Sequence, residues 1–422
     1  MTTHFSRRAF LKTAGAGAAA ALAAPAIGLS SRTVNAATPI QAILNRYPAQ
    51  EYFAEQMKSV PGVEVNVQLM PNDKILELLN INLSSGSSTF DIIPCNDTQA
   101  IRYARNGWII PLEELWEKYR DEYNLGDIEP NFIKGSTVDG HLYQLPNEFN
   151  SHIQMYRKDI YEEKGLKPED NIEDFKAHAK SLKSDDMAGT VLLFRAGDQC
   201  ATGATYYFNN VGDGWFHDDW KLAVNTERGI KAVEFMREMA GVAQRGFTTA
   251  SGEEGALALA QGLAAMGHMW VTRASNMEDP KKSRVVGKIS YAAPAQGKQR
   301  LSATGYAISK FSKQDPDVLF RVMLQTASEK AARENIKNNV PPRVSILNDE
   351  ELSIKHPYLI AANGAAKYGA YYPAMPHFSP VAEIVTRRIV QVMTDELQAK
   401  EAMDLAAAEG NKYLVDQGFI KA

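Results

Sequence analysis

Residues 90–107, FDIIPCNDTQAIRYARNG, decide the fold. Phe90–Ile93 is a short apolar run bounded by turn-forming residues, the pattern of a buried strand. Thr98–Asn106 then has helical spacing and stops at Gly107, with Asp97 standing where a helix cap would. The same unit repeats upstream. Pro39–Leu44 is an apolar strand, and Ala49–Val60 is a helix with Tyr52, Phe53, Met57 and Val60 on one side. Val63–Leu69 alternates as a strand does, and Lys74–Leu83 is a helix that Asn72 or Asp73 could cap. Strand-helix order repeated three times predicts an α/β fold with a parallel sheet covered by helices.

Downstream the pattern stays mixed. Leu142–Leu145 and Ile153–Tyr156 read as extended, separated by Pro146. Ile172–Leu182 reads as a helix, Val191–Phe194 as a strand and Ala201–Asn209 as a helix. Thr226 caps a long helix reaching about Gln244, and Ala264–Trp270 is a strand. Tyr306–Ser309 is a strand, and helices follow over Asp315–Ala327, Lys330–Asn338, Val381–Met393 and Glu401–Asp416.

The chain has 422 residues, of which 45% are hydrophobic and 23% charged, with a net charge of −4. That balance gives no electrostatic footprint for nucleic acid or an anionic membrane. The two cysteines, Cys95 and Cys200, form no CxxC pair and cannot ligate an iron–sulfur cluster. HExxH, GxSxG, GxxxxGK[ST] and strand-to-helix GxGxxG motifs are missing. His217-Asp218-Asp219 reads as a solvated turn, and Met266-Gly267-His268-Met269 as a buried strand rather than a copper site.

The N-terminus reads as an address. Ser6-Arg7-Arg8-Ala9-Phe10-Leu11-Lys12, followed by a weakly apolar Ala/Gly run over Thr13–Leu29, resembles a twin-arginine (Tat) export signal. Val34-Asn35-Ala36 places cleavage after Ala36, making residues 1–36 the signal peptide. The expected product is a freely soluble periplasmic protein without a lipid-anchor cysteine.

Three groups of segments carry a resemblance. The first is Asp91-Ile-Ile-Pro-Cys-Asn-Asp97 with Gly107-Trp-Ile-Ile-Pro-Leu-Glu-Glu114. The second is Asp139-Gly-His-Leu-Tyr-Gln-Leu-Pro146 with Met155-Tyr-Arg-Lys-Asp159 and Lys164-Gly-Leu-Lys-Pro168. The third is Gln261-Gly-Leu-Ala-Ala-Met266 with Trp270, then Pro341-Pro-Arg343. In order, these resemble family 1 extracellular solute-binding proteins of ABC importers, which include maltose-, trehalose- and polyol-binding proteins. The chain departs from the family at Ala303-Thr-Gly-Tyr306, near the expected cleft, and at Asn171-Ile-Glu-Asp174, on a helix start.

The resemblance implies a two-lobed periplasmic-binding-protein fold of type II, with three crossings near Pro146–His152, Arg300–Thr304 and Val340–Val344. Lobe one would be 38–147 plus 303–340, and lobe two 149–302 plus 343–422. Cys95 and Cys200 would then lie in different lobes, where a disulfide between them would jam the hinge. The resemblance also implies a monomer that closes around a carbohydrate and delivers it to an ABC permease with its ATPase subunit. No cofactor, metal or catalytic residue is expected.

Sugars present C–H faces that pack on aromatic rings and hydroxyls that need buried partners. Such groups gather at the carboxyl ends of parallel strands. The candidate ligand-binding residues are therefore Asn96, Asp97, Glu148, Asn150, Ser151, Gln199, Trp270, Arg273 and Tyr306. Arg273 facing the cleft would suit an acidic sugar. Two rival readings stand beside this one. Tyr206-Tyr207 and Tyr371-Tyr372 could serve a ferric-ion binder, and Tat export could serve a glycoside-acting enzyme.

Overall fold

The computed structural model describes residues 38–421 apart from Ser88, so the expected export signal over residues 1–36 lies outside the described residues. From Pro39 onward the chain is one compact unit. Its strands are β1 (Ile40–Asn45), β2 (Val65–Met70), β3 (Ile92–Asn96), β4 (Thr137–Val138), β5 (His141–Leu142), β6 (Leu145–Arg157), β7 (Ala188–Val191), β8 (Ala264–Trp270), β9 (Ile289–Ala292) and β10 (Leu301–Ile308). The main sheet has the order β2-β1-β3-β10-β6-β8-β7, with β9 also pairing β6, and β4 and β5 form a small hairpin.

The sequence pattern explains most of this. β1 pairs β2 and β3 in parallel, as three strand-helix units require. β10 then enters antiparallel between β3 and β6. β6 is a single strand of 13 residues, not two segments divided by Pro146. Pro146 has no N–H for a ladder, and the register of β6 against β10 shifts beside it, between Thr304 and Gly305. A side chain at Gly305 would come within 2.0 Å of the Leu145 carbonyl oxygen, so only glycine permits this pairing. Phe149 pairs Ala303 on one side and bridges Val340 on the other, so three distant segments run side by side at one point.

β7 ends at Val191, three residues short of the predicted strand end. At Leu192 a side-chain amide replaces the neighbouring strand. The Leu192 N–H donates to Gln244 Oε1 at 2.9 Å, and Gln244 Nε2 donates to the Leu192 carbonyl at 2.7 Å. The helix after β3, Asp97–Arg105, is capped by Asn96 rather than Asp97. Asn96 accepts from the Gln99 N–H, and Gln99 returns the bond in a capping box. The helix Asn72–Ser84 follows Pro71, which holds the cap position where Asn72 or Asp73 was expected.

The largest apolar cluster runs from Phe53 and Phe320 through Phe149 and Ile153 on β6 to Leu259 and Leu359. A second cluster joins Phe175, Tyr206, Phe208 and Trp215 to the C-terminal helices Phe378–Met393 and Ala399–Asp416. Cys95 and Cys200 are buried free thiols in different clusters. Among the described residues no helix is long and apolar enough to cross a membrane.

Candidate functional site

Strand periodicity builds the floor of the site. On β6, Glu148, Asn150 and His152 are two residues apart and share one face of the sheet. Across the ladder, Asn150 lies opposite Ser302 and Glu148 opposite Thr304. His152 lies opposite Trp270, and their rings meet edge to face at 4.4 Å. Arg300 lies two residues before Ser302, and both side chains reach Asp97 Oδ1 at 3.0 Å. The result is a polar strip flanked by one indole.

The strip is desolvated and internally compensated. Asp97 and Arg300 form an ion pair at 2.9 Å with both side chains almost wholly buried. Burial works against the Arg300 charge, but Asp97 outweighs it and keeps the guanidinium protonated. Tyr372 lies 3.9 Å beneath that guanidinium and orients it. His152 is neutral, because burial, with His268 and Arg300 nearby, pushes its imidazole down to about 3. Burial drives the Glu148 carboxyl the other way, up to about 7, against hydrogen bonds from Tyr47 at 2.8 Å and Gln50 at 3.4 Å.

The remaining candidates fall at different depths. Gln199 Oε1 accepts from the Gly252 N–H at 3.1 Å, and a side chain at Gly252 would touch the Trp270 ring at 3.3 Å. This brings Gln199 beside Trp270. Arg273 is bound to Glu253 at 2.5 Å. Asn96 is spent on the helix cap. Ser151 points to the opposite face, where its hydroxyl donates to the Arg300 carbonyl at 2.9 Å. Tyr306 is fully buried, its hydroxyl donating to Gln50 Oε1 at 2.5 Å.

Arg300, His152, Ser302 and Tyr47 join the site without having been singled out in the sequence, and Tyr372, named there only as a possible iron ligand, stacks on Arg300 instead. The two-residue spacing from Glu148 could have found His152. Nothing local connects Arg300 to Asp97, 203 residues away. Three side-chain atoms of the strip are buried without a partner in the protein: Asn150 Oδ1, His152 Nε2 and Arg300 Nη1. Among the described residues no group of three or more His, Cys, Asp or Glu side chains could hold a metal ion.

The family model for bacterial extracellular solute-binding proteins matches residues 44–332, well over half the chain. The chain belongs to that family. Among solute-binding relatives, a mannitol-binding protein of Pseudomonas aeruginosa is 25% identical over 225 residues, covering 52% of this chain and 50% of the relative. A binding protein of Brucella abortus is 27% identical over 213 residues, covering 48% and 50%. The chain thus spans about half the length of the curated relatives it matches.

Solved structures match over a larger share. A solute-binding protein of Agrobacterium radiobacter in complex with ribitol superposes with a TM-score of 0.79 at 22% identity, covering 89% of this chain and 99% of that one. One from Agrobacterium vitis with bound D-mannitol gives 0.77 at 21% identity, covering 90% and 99%. A maltose-bound protein of T. maritima gives 0.78 at 18% identity, covering 89% and 100%. The two-lobed periplasmic-binding-protein fold is therefore the architecture of this solute-binding family member.

Proposed function

We propose that the protein is the periplasmic solute-binding component of an ABC importer and that it captures a neutral polyol or sugar. The observation that carries this reading is the buried strip with unpartnered Asn150 Oδ1, His152 Nε2 and Arg300 Nη1 beside Trp270. Each such atom costs about 1–3 kcal/mol when left unmade, and a ligand hydroxyl relieves it. The indole offers the flat apolar surface that C–H groups need. Asp97 neutralises Arg300 and Glu253 engages Arg273, so the site calls for no anionic ligand. The mannitol-binding relative supports the same class.

In this reading the segments meeting at Phe149, Ala303 and Val340 are the hinge. The lobes are 38–147 plus 303–340 and 149–302 plus 343–422. Ligand held by both lobes favours the closed form, which docks on the permease. No bond is made or broken. Iron binding gains no support from the tyrosine pairs: Tyr206 and Tyr207 are buried in the lobe-two core, and burial raises both phenols well above their ordinary range.

A thermal-shift panel of polyols, sugars and sugar acids tests the ligand class. A true ligand at 100 times its Kd adds about 2.7 kcal/mol of stability. Trp270→Ala then weakens that ligand more than about tenfold, the upper end of what one aromatic contact contributes. A response confined to sugar acids, or none in protein freed of bound ligand, overturns the neutral-polyol reading. Export through the twin-arginine route is tested by replacing Arg7 and Arg8 with lysine. The precursor then accumulates in the cytoplasm; undiminished periplasmic protein overturns that route.

A further inference from the structure

Residues 211–226 connect the helix Asp198–Asn210 to the helix Glu227–Ala240 through a small hairpin in which Phe216 bridges Leu222. Trp220 sits in it with φ +64°, a left-handed backbone that bulky residues rarely adopt. Such a conformation is strained and persists only where the surroundings fix it. Here it holds the indole edge-on to Phe216 at 6.0 Å and to Phe419 at 5.8 Å.

Phe216, Trp220 and Tyr371 wall a cavity of about 790 Å³, with Asn209, Asp218 and Lys298 also lining it. That volume lies within the range of roughly 300–1,000 Å³ typical of small-molecule sites. Its charges balance: Arg228 pairs Asp213 at 3.2 Å, and the exposed Asp218 and Lys298 oppose each other in sign. Phe216, Trp220 and Tyr371, beside an amide, a carboxylate and an ammonium group, suit a hydroxylated ring with C–H faces. None of Glu148, Asn150, His152 or Trp270 lines the cavity. Tyr371 nevertheless ties it to the rest of the molecule. Its hydroxyl donates to the Asn131 carbonyl at 2.8 Å, and its ring lies so close to Gly135 that any side chain there would collide with it.

We propose that this cavity is a second carbohydrate-binding station, separate from the cleft, that takes one neutral saccharide ring against Phe216 and Trp220. It does not depend on the cleft reading. The test uses the full chain carrying Asn150→Ala and Trp270→Ala, which removes the indole and one of the unpartnered atoms of the cleft, with maltotriose as the probe in saturation-transfer NMR. Maltotriose contacts are expected to persist in that variant. Adding Phe216→Leu, which keeps apolar bulk but removes the flat ring, weakens them about tenfold. Lys298→Ala, a change at an exposed side chain, weakens them as well. Far-UV circular dichroism confirms that each variant is folded. Loss of all maltotriose contact in the protein carrying Asn150→Ala and Trp270→Ala, or contacts unchanged by both Phe216→Leu and Lys298→Ala, overturns the station. A parent protein that answers no polyol or sugar in the thermal panel, yet shows contacts abolished by Phe216→Leu, supports the station while refuting the cleft.

Discussion

Replacing Arg300 by methionine is expected to lower the unfolding free energy by about 3–5 kcal/mol, the cost of breaking a buried ion pair from one side. Asp97 would lose its cationic partner at a buried position, with the Ser302 hydroxyl as its remaining side-chain partner. Tyr372 would also lose the cation stacked on its ring. The companion change Asp97→Asn removes the unpaired carboxyl group, so the double variant should be more stable than the sum of the single losses predicts. A urea-unfolding double-mutant cycle measures this coupling. Strict additivity would show that the two side chains do not stabilise one another. The same Arg300→Met protein should also bind ligand more weakly, because it lacks the free Nη1 donor.

The second large effect is a pH dependence centred on Glu148. Its carboxyl is pushed from 4.5 to about 7 in the folded protein, mainly by burial. Between those values the native state holds a proton that the unfolded chain has released. The unfolded state therefore binds fewer protons, and stability falls as pH rises through this window. The loss is complete above about pH 7 and amounts to about 3 kcal/mol at 1.36 kcal/mol per pKa unit. Glu148→Gln imitates the protonated acid and still offers an oxygen to the Tyr47 hydroxyl. Relative to the parent, the variant should gain about 3 kcal/mol on going from pH 4.5 to 7.5. A variant-minus-parent difference that stays flat across that range would remove Glu148 as the titrating group.

Local chemistry made the first half of the fold legible. Apolar runs and alternation mark β1, β2, β3 and their helices, and these features act within a few residues of each other. Errors arose where a distant group took over a local role. Gln244 completes the backbone bonds of Leu192 and so ends β7 early. Asn96 took the cap and freed Asp97 for Arg300. Glu148 and Asn150 are legible from their place on the expected first crossing, and Trp270 from ending its strand and from the family resemblance; strand alternation on β6, which would have added His152, does not enter that reading. Ser151 shows the limit of listing neighbours without alternation, since adjacent strand residues face opposite ways. Tyr306 shows another, because nothing near it in sequence announces its bond to Gln50.

The position of β10 also bears on how the chain acquires its structure during synthesis. β10 fills the gap between β3 and β6, yet its residues, 301–308, are translated long after both neighbours. A nascent chain that has emerged as far as residue 300 holds two incomplete sheet fragments with facing, unpaired edges. The joining strand pairs Thr304 with Asn96 and Leu301 with Ser151, contacts separated by more than a hundred residues. Such non-local closure is slow. The native sheet can therefore be completed only after residue 308 has left the ribosome, and until then the open edges need protection from pairing with other chains.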